Sequence, residues 1–190
     1  MCSQKGHLRH GELSRSASNW RVGVKGGTEA AIHAANAIFN DSNIDDSQKW
    51  FLQLDFSNAF NQINRVRMLE EIRHHCPKAA SWAEFCYGRH SILFFGNSRI
   101  SSEEGAQQGC PLAILLFSLV LHPLLLKIKA ECKDLLLNVS FLDDVTLSGT
   151  RADLQRAFDL FVSMGAEVGL HLNAQKSLVW CGNSLTHFGI

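Results

Sequence analysis

The order of periodicities along the chain predicts an α+β fold: a sheet covered on one face by helices. Three observations carry this. Short apolar, β-rich runs bounded by turn residues alternate with longer segments of helical spacing. Two of the short runs fold back on themselves as hairpins. One long apolar segment, residues 111–128, reads as a buried core helix. Apolar residues make up 46% of the 190 and charged residues 19%, so a packed core is affordable and disorder is excluded as the general state.

In chain order, residues 1–21 are rich in Ser, Gly, Arg and His and lack apolar periodicity, which predicts a weakly structured segment. "VGVKGGTEAAIHAANAIF" places a turn at Gly26-Gly27, an N-cap at Thr28 and a helix to about Phe39. "WFLQLDFSNAF" (50–60) opens as a strand with Asp55 at its end. "RVRMLEEIRHHC" sets Val66, Leu69 and Ile72 at helical spacing until Pro77, and "KAASWAEFCYG" is a second helix. "SILFFGNSRISSEE" is a hairpin turning at Gly96-Asn97. The long helix follows Pro111. "LLLNVSFLDDVTLSG" is a second hairpin. Thr150 then caps a helix whose Leu154, Ala157, Phe158, Phe161 and Val162 share a face, ended by Gly165 or Gly169. "HLNAQKSLVW" closes with a strand.

The formal net charge is zero and the pI about 7.1. Bulk charge therefore offers nothing to nucleic acid, and any such partner must be recognised by local chemistry. Cys2, Cys76, Cys86, Cys110, Cys132 and Cys181 form no CxxC pair or zinc-finger spacing, which points to reduced thiols in an intracellular protein. His74-His75 reads as a surface pair. The polar N-terminus is no signal peptide. Residues 111–128, broken by Ser118, His122 and Pro123, fall short of the ~20 clean residues of a membrane span.

The chemistry concentrates in "FLDD", residues 141–144. Adjacent carboxylates in an apolar, β-rich run repel unless solvated or neutralised. Taken alone, Asp143-Asp144 is a solvated turn. Asp55 alone is equally a helix N-cap, work that Ser57 or Asn58 can share. If the three strands join one sheet, all three carboxylates meet at an edge. Oxygen donors without His or Cys select Mg²⁺ or Mn²⁺ over zinc. Two such ions about 3.5–4 Å apart serve phosphoryl transfer.

Several segments, in order, resemble the palm of a reverse transcriptase. "LDFSNAF" (54–60) is similar to that family's first catalytic segment, "QGCPLAILLF" (108–117) to its second, "FLDD" to its third and "GLHLNAQKS" (169–177) to its fourth. "HFGI" (187–190) resembles the start of a fifth. The style is closest to non-LTR, LINE-type retrotransposon enzymes, whose upstream segment resembles "VGVKGGTEAAIHA". The resemblance implies a polymerase palm, an antiparallel sheet backed by helices, with partial fingers over residues 22–190 and no thumb. It implies an RNA-directed DNA polymerase, a nucleotidyltransferase adding dNTPs to a DNA primer on an RNA template with two Mg²⁺ or Mn²⁺ ions. No membrane is expected. Asp55, Asp143 and Asp144 would hold the metal. The backbone from Phe56 through Asn58 to Ala59 would face the triphosphate, and Phe60 would lie under the sugar and exclude ribonucleotides. Gln108 and Gly109 would pack on the nascent base pair, and Lys176 would meet the leaving pyrophosphate. Each also has a plain reading: Phe60 as core aromatic, Gln108-Gly109 as loop, Lys176 as surface charge. Arg65, Arg67 and Arg99 read as phosphate contacts or, more simply, as solvated charges.

Two departures stand out. Ala113-Ile114 replaces the usual Ser-Pro, removing a helix-start constraint and a hydroxyl. About twenty residues precede the match and nothing follows it, so the expectation is a truncated piece of a mobile-element protein. An inactive nucleic-acid-binding remnant of such an enzyme stands as the alternative.

Overall fold

The computed structural model describes residues 27–181 and 184–187. The segments 1–21 and 22–26 and the end of "HFGI" lie outside them. The elements are α1 (Gly27–Asn40), a 3-10 turn (Asp46–Gln48), β1 (Trp50–Leu54), α2 (Ala59–Gln62), α3 (Arg65–His75) and α4 (Pro77–Tyr87). A hairpin, β2 (Ser91–Phe95) and β3 (Ser98–Ser102), precedes α5 (Ala113–Glu131). Then come β4 (Leu137–Phe141), β5 (Asp144–Gly149), α6 (Arg151–Glu167), β6 (Leu178–Cys181) and β7 (Ser184–His187).

Five strands form one sheet in the order β4-β5-β1-β6-β7, antiparallel throughout, and β2-β3 stands apart. Alternation along the central strand β1 explains its two faces. Leu52 and Leu54, with Val145, Leu147 and Val179, enter the main core beneath α3–α6. Phe51 points the other way, stacks on Trp180 at 5.2 Å, and joins Leu137, Val139 and Ile38 of α1. Helices were expected on one face; α1 covers part of the second, and its Ala31, Ala34 and Ala35 allow the close approach.

The α+β expectation holds, as do both hairpins and the Thr150 cap, whose Oγ1 accepts from the Asp153 N–H at 3.2 Å. Helix α5 is the core helix, with Leu116, Phe117, Leu121 and Ile128 essentially without solvent contact. Among the described residues it is the one helix long and apolar enough to cross a membrane, and over half of that window is buried in the protein. Thr28 lies inside α1 rather than before it, because the helix already includes Gly27.

Two apolar assignments need correction. Val66 is 63% and Val162 49% exposed. In α3 the inward stripe is Arg65, Met68, Leu69 and Ile72, a single helical face that leaves Val66 outside it. In α6 the adjacent Phe161 takes the core slot.

Arg65 is buried, not solvated. Its Nε donates to the Gly105 carbonyl (2.8 Å), Nη1 to the Ser102 carbonyl (2.7 Å) and Nη2 to Ser102 Oγ (2.9 Å). The guanidinium also lies 5.5 Å from the Tyr87 ring centroid. It ties the end of β3 to the start of α3. Arg67 pairs with Glu70 (2.9 Å) and Arg99 lies over Phe94 (5.5 Å).

Replacing Arg65 by Met should cost about 2–3 kcal/mol in urea denaturation, since charge-assisted bonds are lost and their buried acceptors orphaned. Lysine should recover little, because one ammonium cannot reproduce the planar fork. Amide exchange over 98–102 should accelerate in both variants.

Candidate active site

The β1–β5 ladder runs from Trp50↔Gly149 to Leu54↔Val145. One further register step sets Asp55 opposite Asp144. The β4–β5 hairpin closes on Phe141↔Asp144, leaving Leu142-Asp143 as a two-residue turn. Leu142 has φ +57°, a left-handed conformation that favours glycine, and its carbonyl accepts from Ser140 Oγ at 3.2 Å. Thus the turn drives Asp143 and Asp144 to the sheet edge where β1 ends. Asp55 does not cap a helix: the N-cap position of α2 is Asn58, which makes no side-chain capping bond.

Asp144 feels the other two acids. The Asp144 carboxyl is pushed above its usual range, first by partial desolvation, then by the charges of Asp143 and Asp55. Among the described residues no three His, Cys, Asp or Glu side chains form a ready-made metal cage. The three acids make an open, hard-oxygen edge instead. That donor set fits a Mg²⁺-like ion, which keeps waters and is commonly held by one or two carboxylates together with substrate phosphates.

After Asp55 the chain turns into α2. Phe56 is buried, with its ring 5.7 Å from that of Phe161, and its backbone bridges to Leu172. The Ser57 N–H donates to the His171 carbonyl (2.8 Å). These two residues are therefore engaged with the 171–172 segment. Asn58, exposed at φ +46°, and buried Ala59 begin the helical turn, whose first N–H groups lack intrahelical acceptors. Phe60 is half-buried and stacks on Phe117 at 4.6 Å.

The Gln108-Gly109 loop reaches α2 through two bonds, Ala106 N–H to Phe60 O (2.6 Å) and Gly105 N–H to Ile63 O (3.0 Å). Gly105 has φ +72°, and any Cβ there would collide with the Asn61 backbone. Gly109 has φ +87° with open space around it, so its backbone shape, rather than a close contact within the protein, calls for glycine. Gln108 is exposed and helps line a groove of about 830 Å³ with Asn61, Leu93, Ser101 and Gln107. The three carboxylates lie outside that groove. Buried Tyr87 accepts from the Gln107 N–H (3.3 Å), and burial, followed by its bond to Cys110, pushes its hydroxyl up to about 12. Ala113, in place of Ser, is buried at the first turn of α5.

Lys176 is exposed, with no ion pair among the described residues, and its loop lies against Asp55. The Asp55 carbonyl accepts from the Asn173 N–H (2.8 Å), and the Asp55 N–H donates to Ser177 Oγ (3.2 Å). Sequence reasoning overlooked Ser177, Asn173 and Tyr87. Each acts through hydrogen bonding to a segment distant in the chain, for which composition and spacing carry no sign.

An antiparallel sheet backed by helices, with acids at one edge, is the arrangement of a polymerase palm. The profile of the reverse transcriptase (RNA-dependent DNA polymerase) family matches residues 17–188, so the chain belongs to that family. A relative is the retrovirus-related Pol polyprotein from the type-2 retrotransposable element R2DM of Drosophila melanogaster, 29% identical over 178 residues. That match covers 85% of this chain and 17% of the polyprotein, so the chain spans about a sixth of that relative's length. Similar solved folds include telomerase from Candida tropicalis with a TWJ fragment of telomeric RNA, at TM-score 0.62 and 13% identity. It is covered over 30% of its length by 85% of this chain. Telomerase from Candida albicans with such a fragment gives TM-score 0.63 and 11% identity, over 92% of this chain and 34% of that one.

The raised Asp144 pKa has a sign. The folded protein holds that proton more tightly than the unfolded chain, so the group favours the fold at low pH and this is lost as pH rises through its raised value. In metal-free buffer at pH 7, Asp144→Asn should therefore raise stability slightly, by less than about 1 kcal/mol at such an open position. Calorimetry should show the gain disappearing below the ordinary carboxylate range.

Proposed function

We propose that residues 22–190 are the palm, with part of the fingers, of an RNA-directed DNA polymerase that works within a longer, intracellular mobile-element protein. Its substrates are dNTPs, a DNA primer and an RNA template. The observation that carries this reading is the register of β1 with β5, which brings Asp55 to Asp143 and Asp144 at one sheet edge. Family membership and the R2DM relative support it.

Asp55 and Asp143 would hold two Mg²⁺ or Mn²⁺ ions, assisted by Asp144. The ions, when bound, supply the positive charge that activates an attacking oxygen and steadies a leaving one. The chain's own residues do the rest. The backbone N–H groups from Asn58 onward, at the start of α2, would meet phosphate oxygens. Phe60 is stacked on Phe117, which favours one ring position, and it stands as a steric limit under the sugar 2′ position. Gln108 and Gly109, on the loop that Gly105 and Ala106 tie to Phe60 and Ile63, approach the nascent base pair. Lys176, exposed on the loop beside Asp55, neutralises or protonates the departing pyrophosphate.

Primer extension on an RNA template tests this. Asp143→Asn and Asp144→Asn should each abolish it, and continued extension by both would remove the assignment. RNA binding that is salt-sensitive, indifferent to Asp143→Asn and unaccompanied by extension in the unmodified chain would instead mark an inactive remnant. Phe60→Ala should admit ribonucleotides, read as incorporation of rNTP relative to dNTP.

A further inference from the structure

The acids are not held by the ladder alone. We propose that Ser177 is a positioning residue that fixes Asp55 and so sets the divalent-cation affinity of the edge; this rests on the reading that Asp55 binds such an ion.

The geometry is a break in pairing. Strand β6 pairs with β1 as far as Gln53↔Leu178. The next bridge on that side is Phe56↔Leu172. Between them, Leu54 and Asp55 face five residues, 173–177. A regular ladder would set Lys176 opposite Asp55 and spend the Lys176 backbone on it. The surplus residues instead loop out, a pronounced form of bulge. Lys176 N–H bonds to the Asn173 carbonyl (3.1 Å), Ser177 N–H bonds to the same carbonyl (2.9 Å), and the Lys176 side chain is left in solvent.

Ser177 closes this loop. It is fully buried. Its hydroxyl donates to the Asn173 carbonyl (2.9 Å) and accepts from the Asp55 N–H (3.2 Å). The Asn173 N–H in turn holds the Asp55 carbonyl (2.8 Å). Both main-chain polar groups of Asp55 thus end in one loop, and a side-chain oxygen stands where a ladder carbonyl would be. Alanine at 177 would orphan the Asp55 N–H and release the loop to slip toward regular pairing, which turns Asp55 relative to Asp143 and withdraws Lys176. Hydrogen-bond partners of metal ligands are generally worth about ten- to hundredfold in metal affinity; Ser177 acts one step further back, on the Asp55 main chain, so the lower end of that range applies.

The test is Mn²⁺ titration of the whole chain, read as the rise in Tm and by calorimetry, for the unmodified protein, Ser177→Ala, Ser177→Thr and Asp143→Asn. The metal-free Tm of each variant is recorded alongside. Ser177→Ala should raise the Mn²⁺ midpoint about tenfold, and Ser177→Thr, which keeps the oxygen, should return it to within about twofold. Ser177→Cys, close in volume but a poor acceptor, carries the same expectation as alanine should alanine fail to fold. If Asp143→Asn abolishes the response while Ala and Cys leave the midpoint unchanged, the positioning role is wrong and the metal site stands. If Asp143→Asn responds like the unmodified protein, the metal site and the role of Ser177 fall together.

Discussion

The hydrogen-bond register of β1 is the constraint on which the site depends. It pairs with β5 on one side and β6 on the other, so its alternation decides which groups enter the core and which reach the open edge. A slip of one residue would exchange the two sets. Burial prevents that slip on both faces: Leu52 and Leu54 are sealed below, and Phe51 is sealed above against Trp180. Full burial of each such side chain stabilises by roughly 1.5–3 kcal/mol. Repulsion among partly solvated acids is smaller. The core can therefore hold Asp55 beside Asp144 against their mutual charge.

Packing also sets the backbone around the acids. The Asn61–Asn64 segment is gripped from two sides. Gly105 lies against the Asn61 backbone, and Gly169 against the Gln62 carbonyl, both at positive φ with no room for a Cβ. Gly169 ends α6 in a Schellman pattern, with Leu170 N–H bonding to Gly165 O (2.8 Å) and Gly169 N–H to Ala166 O (3.3 Å). Asn64 N–H then meets Val168 O (2.9 Å). The helix end and the loop before Gln108 therefore clamp the same short segment. Rigidity at α2 is shared between two regions more than sixty residues apart in sequence.

This explains what the sequence disclosed. Local codes were legible: the cap at Thr150, the turn at Gly96-Asn97, the Asp-Asp hairpin and the apolar run of α5. The acids were identifiable because they stand at the ends of apolar strands, where a charge is conspicuous. Burial of Arg65 was not, since its three acceptors lie 37 to 40 residues away and no local pattern distinguishes a hidden arginine from a solvated one. Val66 and Val162 fit a helical spacing yet lie off the stripe that tertiary contacts select. Ser177 sat beside a conspicuous lysine, and its importance comes from a bond to a residue 122 positions earlier. α1 settled on the second face because Phe51 and Val139 left apolar surface there.

The charge balance gives the proposed chemistry its shape. The chain has no net charge, and its candidate site is an edge of three acids. Such an edge repels a nucleotide triphosphate. It is also costly on its own account, as the raised Asp144 pKa records. In the proposed chemistry both costs would be offset by the same divalent cations, provided their remaining positions are taken by phosphate oxygens. An open row of carboxylates satisfies that requirement better than a closed cage, which would saturate the ions and leave no place for substrate. Cation and nucleotide should then each tighten the other's binding by the same factor, because coupling between two ligands is reciprocal. The open geometry is thus the form that proposed phosphoryl-transfer chemistry needs.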